Sequence, residues 1–172
     1  VGYGSLGTNS TGDNHTAVGY NALTANTTAD NNTAIGFNAL KTNTTGTANT
    51  AVGHDALGAQ TTGGNNTAVG YAAGVTSTTG ASNVIVGHHA FYYNTTGASN
   101  VALGQGALHR NTTASYNIMC GQAAGQFITT GASNVGIGHA ALYTLTTASH
   151  NTGIGASALY AATTGTQNVV VG

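Results

Sequence analysis

Glycine recurs at residues 2, 19, 36, 53, 70, 87, 104, 121, 138, 155 and 172, a spacing of 17 kept along the whole 172-residue chain without an insertion or deletion. Self-similarity at a short fixed period marks architectures in which each unit stacks only on its neighbours. A chain ruled in this way is expected to form one array of equal coils over residues 1–172, a rod rather than a globule.

Counted from each glycine as position zero, the unit reads G-Y-x-A-L-x-x-N-T-T-G-x-x-N-T-A-V, nearly unaltered in Gly19–Ile35 and Gly36–Val52. Ten copies follow one another. Position 9 is Thr in all ten, position 8 is Thr in all but the first (Ser10), and position 13 is Asn in all but the first (His15). Position 3 is Ala in nine copies, and position 16 is aliphatic everywhere except at Cys120.

Gly and paired Thr recur too often for an uninterrupted helical face, so short strands broken by turns are the better reading. In Asn-Thr-Ala-Val the β-branched residues stand two apart, so Thr33 and Ile35 point one way and Ala34 the other. A second strand is expected at the Thr-Thr stretch. Glycines after the aliphatic residue, and the Gly or Ala after the second Thr (Gly46, Gly63, Ala114, Ala148), mark turns or close approaches of backbone. Coils stacked in register put identical residues about 4.8 Å apart, so ten of them give a shaft of roughly 48 Å. Asn and Thr columns then become hydrogen-bonded ladders, while Val or Ile, Ala and Leu fill a narrow core. On that reading Cys120 is a small buried apolar substitute in its column. The Leu column at position 4 breaks at Gly74 and Gly125, where Val75 and Phe127 are expected to refill the space.

Composition narrows the function. Only 3% of the residues are charged, against about 25% in an ordinary globular protein. Lys41 and Arg110 are the only bases, so neither nucleic acid nor an anionic membrane surface is an expected partner. Abundant Gly, Thr, Asn and Ser would suggest disorder if scattered, but the strict period overturns that. The absence of proline fits a continuous backbone ladder. Both ends fall in the same phase of the repeat, Val1-Gly2 and Val171-Gly172, with no capping unit, so a segment of a longer chain is expected.

No residue stands out for chemistry. Gly2–Gly7 matches G-x-G-x-x-G, and Gly136–Ala141 and Gly153–Ala158 match its alanine form, but the strand–turn–helix context and the later acidic residue are missing. His54, His88 and His139 share position 1, separated by Tyr71 and by Gln105 and Gln122, so no two touch in the stack and no metal is expected. Glutamate is absent, and a uniform array offers no unique pocket, so no cofactor, no catalytic residue and no enzyme activity are expected. Asn-x-Thr/Ser sequons, as at Asn9, Asn26, Asn43, Asn94 and Asn111, read as ladder chemistry rather than glycosylation sites. Tyr92, Tyr93, Tyr116, Phe127, Tyr143 and Tyr160 gather in the later half as variable decoration, and such rings beside Asn can also stack on sugars.

At Asn32-Thr33-Ala34-Ile35-Gly36-Phe37-Asn38-Ala39-Leu40 and its counterparts, the chain resembles the repeat regions of bacteriophage tail-fibre proteins. It is also similar to the head repeats of trimeric autotransporter adhesins, which carry a similar Ala-Ile-Gly core in a shorter unit. The resemblance covers essentially all 172 residues. It implies a homotrimer of parallel solenoids at a virion surface or outside a cell. The self-cleaving chaperone domain that often ends tail-fibre relatives has no counterpart in this sequence. The expectation is therefore an all-β parallel solenoid, or β-roll, of ten 17-residue coils. It would serve as the shaft of a homotrimeric fibre that presents a receptor-binding tip carried by another segment. The alternatives are an ice-binding solenoid, which would use its Thr array, and a glycan-binding one, which would use its Tyr-rich later coils. Thr27 and Thr28 are adjacent, so at most one Thr column can lie on a flat outer face.

Overall fold

The computed structural model describes residues 1–172 as a β-solenoid without helices. Ten three-residue strands, β1 Thr16–Val18, β2 Thr33–Ile35 and so on every 17 residues to β10 Val169–Val171, form one parallel sheet in chain order. The register is the repeat itself: Thr16 pairs with Thr33, Ala17 with Ala34 and Val18 with Ile35, and the pattern continues up the stack. Each strand contacts only the strands before and after it. No helix long and apolar enough to cross a membrane is present.

The glycine at position zero is required by the close approach of successive coils. At Gly36 the backbone has a φ of 138°, and a Cβ would lie 2.3 Å from the carbonyl oxygen of Gly53. From there the chain makes linked turns. The N–H of Ala39 donates to the carbonyl of Gly36, that of Lys41 to Asn38, and that of Asn43 to Leu40. Positions 2 and 4, Asn38 at φ 55° and Leu40 at φ 49°, are the third residues of the first two turns, the place where a type II turn needs positive φ.

The Thr-Thr stretch is not a strand, contrary to expectation. The N–H groups of Thr44 and Thr45 both donate to the carbonyl of Thr61, at 2.9 and 3.3 Å. Two consecutive donors on one acceptor bend the chain, where a ladder would use alternate groups. One sheet therefore runs up one side of the coil, and turns and bends make the rest.

The core also differs from expectation. Along each strand the middle residue faces inward and its neighbours face out, so Ala17, Ala34, Ala51 and Ala68 are buried while Val18 and Ile35 are 44% and 38% exposed. The position-16 column, Cys120 included, is thus on the outer side, with Cys120 half-buried. Inside stand Ala at positions 3 and 15, Leu at position 4 and the Asn columns at positions 7 and 13.

Interior volume is traded between columns. Where Ile85 replaces the strand alanine, position 4 of the same coil is Gly74, and a Cβ there would sit 2.8 Å from the Ile85 Cδ1. Where Met119 takes that place, Gly125 and Gly136 both make room for it, with the Met119 sulfur 2.9 and 2.5 Å from their would-be Cβ atoms. Ile128 also presses on the Gly125 site, at 3.0 Å. The expected fillers Val75 and Phe127 are instead only half-buried; a larger strand residue fills each gap from inside.

Candidate functional site

Two polar ladders fix the coils in register. The N–H of Asn49 donates to Asn32 Oδ1 at 2.9 Å, and Asn49 Nδ2 donates to the Gly63 carbonyl at 2.9 Å. The same pattern repeats upward through Asn66, Asn83 and Asn100. In the first coil His15 stands in, its Nδ1 accepting from the N–H of Asn32. These amides are fully desolvated yet paired, which is the condition for burying them without loss of stability. The position-7 asparagines beyond the first coil are buried too, whereas Asn9 is exposed. Asn26, Asn43, Asn94 and Asn111 are therefore closed to a glycosylating enzyme in the folded chain.

The two Thr columns have different roles. At position 8 each hydroxyl donates to the carbonyl of its counterpart one coil on, as in Thr44 to Thr61 at 3.2 Å and Thr61 to Thr78 at 3.0 Å. At position 9 Thr11, Thr28, Thr45, Thr62 and their successors are all exposed, and their hydroxyls find no partner within the chain. Neighbouring exposed columns vary freely, whereas this one does not.

The outer face of the sheet carries one column that is aliphatic in every coil but that of Cys120, position 16, flanked by position 14, which is Thr in five coils and Val or Ile in the other five. Position 16 contributes Val18, Ile35, Val69, Val86, Ile137 and Ile154, and position 14 adds Val84 and Ile118, all well exposed. Beside them position 1 builds an aromatic stack. Tyr3, Tyr20, Phe37, His54, Tyr71 and His88 follow one another at 4.8–5.5 Å between ring centroids. Tyr71 separates the rings of His54 and His88, and His139 stands three coils beyond His88 in the same column. Nowhere do three or more His, Cys, Asp or Glu side chains converge in a metal-binding arrangement. Three columns four residues wide, at about 3.3 Å per residue and over roughly 48 Å of stack, give a strip of about 600 Å². Apolar patches at the upper end of what ordinary monomers expose, about 300–600 Å², are often functional.

One band breaks the uniformity. In coils beginning at Gly87, Gly104 and Gly121, positions 5 and 6 carry Tyr92 and Tyr93, His109 and Arg110, and Gln126 and Phe127. Tyr92 stacks on His109 at 5.4 Å, and the Arg110 guanidinium lies 4.8 Å over the Phe127 ring. Burial, then His89 and Arg110, hold the His109 pKa below its ordinary value; burial and then His88 do the same for His89. Sequence reasoning saw aromatic decoration here but missed the cleft beside it, because Gly106 is ordinary in a glycine-rich chain. The available signal was its column, in which every coil but the first, with Gly4, otherwise carries a side chain, such as Asn21, Asn38 and His89.

The chain matches no protein-family model, no curated protein and no solved structure.

Proposed function

We propose that this solenoid is the shaft of a homotrimeric fibre, at a virion surface or outside a cell, that holds a receptor-binding tip carried by another segment. The observation that carries the reading is the outer apolar strip of the sheet. Its footprint of about 600 Å² along one side of a slender rod, aliphatic at position 16 and largely aromatic at position 1 up to His88, with Thr interspersed at position 14, compares with the ~800 Å² per partner of a standard interface. In a threefold ring each chain uses two different faces, one against each neighbour. The invariant Thr column at position 9 supplies a second uniform face, and its unpaired hydroxyls have acceptors to find on the next chain. A rotation axis along the rod keeps identical coils level, so every column meets the same partner at every height. The resemblance to tail-fibre and adhesin repeats points the same way.

Equilibrium sedimentation is the test, with a species three times 16.8 kDa expected. A stable monomer overturns the reading. Val69→Lys with Val86→Lys, both outward, is expected to give a folded monomer with unchanged circular dichroism. The Thr column also favours a second reading, an ice-binding surface, since exposed hydroxyls about 4.8 Å apart form a regular array. Thermal hysteresis in solution would support it, and its absence would dismiss it.

A further inference from the structure

The irregular band holds a notch that the uniform array does not need. Position 2 carries a side chain in the coils on either side, His89 below and Ala123 above, but Gly106 between them carries none. A Cβ at Gly106 would meet nothing within 4 Å, so no packing demands the glycine. Its φ of 66° does not demand it either, because His89 and Ala123 hold 55° and 58°. The result is an open notch of about 220 Å³ floored by Gly106 and walled by His88, His89, His109, Gln105, Gln122 and Gln126.

These walls are rich in hydrogen-bonding groups with little to bond. Gln122 Nε2 reaches Gln105 Oε1 only at 3.5 Å, and the side chains of Gln105, Gln122 and Gln126 make no other hydrogen bond within the chain. Amides and neutral imidazoles each offer a donor and an acceptor. No carboxylate lines the notch, and Arg110 is turned away over Phe127, so the lining carries no fixed charge. A ligand that satisfies it is neutral, carries several hydroxyls that both donate and accept, and is small, since sites for drug-sized molecules run to ~300–1,000 Å³.

We infer that the Gly106 notch binds one pyranose ring of a saccharide, held by the side chains of Gln105, Gln122, Gln126 and the three histidines. The inference does not rest on the fibre reading, because a single chain presents the notch; in a fibre, Gln105 and Gln122, the polar gap in the position-1 column, would have to stay uncovered. It places recognition on the array itself, at one height, rather than along its length.

The test compares the wild-type chain with Gly106→Asn. Asparagine occupies this position at Asn21 and Asn38 with φ of 53° and 55°, so the variant restores the repeat and fills the notch without disturbing the fold. Wild-type protein on an immobilised glycan array is expected to bind a set sharing one terminal ring, and Gly106→Asn to weaken that binding at least tenfold with unchanged circular dichroism. Titration with the methyl pyranosides of glucose, galactose, mannose and N-acetylglucosamine, followed by imidazole resonances, is expected to move His88, His89 and His109 and to leave His15 and His150 in place. Silence on the array together with unmoved imidazoles overturns the proposal. Binding that survives Gly106→Asn does so as well.

Discussion

Leu40 holds a φ of 49°, a conformation that costs an ordinary L-residue about 1–2 kcal/mol, and Leu23, Leu57, Leu108 and Leu142 do the same. Nothing local in the sequence announces this; leucine is a poor residue for a turn. Complete burial of the side chain, worth roughly 1.5–3 kcal/mol, offsets the strain, and that gain exists only once coils are stacked. The Asn columns were legible for the opposite reason: identical amides 17 residues apart can meet only each other or the backbone beside them. A flaw in the position-7 column yields a prediction. Gln60, a methylene longer than asparagine, sends its Nε2 to the Gly80 carbonyl at 3.0 Å and leaves Asn43 Oδ1 buried without a partner. Gln60→Asn is expected to rejoin the ladder and stabilise the chain by about 1 kcal/mol, read as a rise in denaturation midpoint. A fall would show that Gln60 is better placed than the ladder argument allows. At His109 and His89 the folded-state pKa lies below the ordinary value, so the unfolded chain takes up protons first. Stability from the neutral rings is complete above about pH 6.5 and is lost as pH falls below it. The thermal midpoint should drop between pH 7.5 and 5, and drop less in His109→Gln; equal slopes in both proteins would contradict the assignment.

Within a single coil, alternation along the strand could be read from Thr-Ala-Val, but not which side was the interior, since both sides carry apolar groups. Volume decides it. With Leu at position 4 and amides at position 13 already inside, only a small residue fits at the strand centre of a coil stacked on both sides, and a larger one there, Ile85 or Met119, is matched by a glycine in the facing column. The pair Gly74 and Ile85 tests this. Gly74→Leu alone should overpack the coil and cost about 1–3 kcal/mol, since its Cδ atoms would contest space with Ile85. Ile85→Ala alone should open a cavity. Combined, the two restore the ordinary coil, so the double variant should be more stable than either single one, with a coupling seen in a double-mutant cycle. Additive losses would refute the exchange. A harsher change is Gly36→Ala, whose methyl would fall on the Gly53 carbonyl; loss of cooperative unfolding is expected by circular dichroism.

Across the whole molecule, the solenoid and its register were legible from periodicity alone, because a strict repeat admits few packings other than stacking. The apolar exterior strip and the Gly106 notch were not. The first needed the strand's orientation, and the second needed knowledge of which glycines the backbone can do without. Each strand meets only its two neighbours in the sheet, and every level repeats the same pairing. Removing residues 53–69, one whole period, should therefore leave a folded rod shortened by about 4.8 Å, whereas removing 16 residues should disrupt the stack above the cut. Length in such an object is consequently a digital quantity. Recombination between copies can lengthen or shorten the reach by whole steps, and each new junction inherits a fit already in use elsewhere along the column.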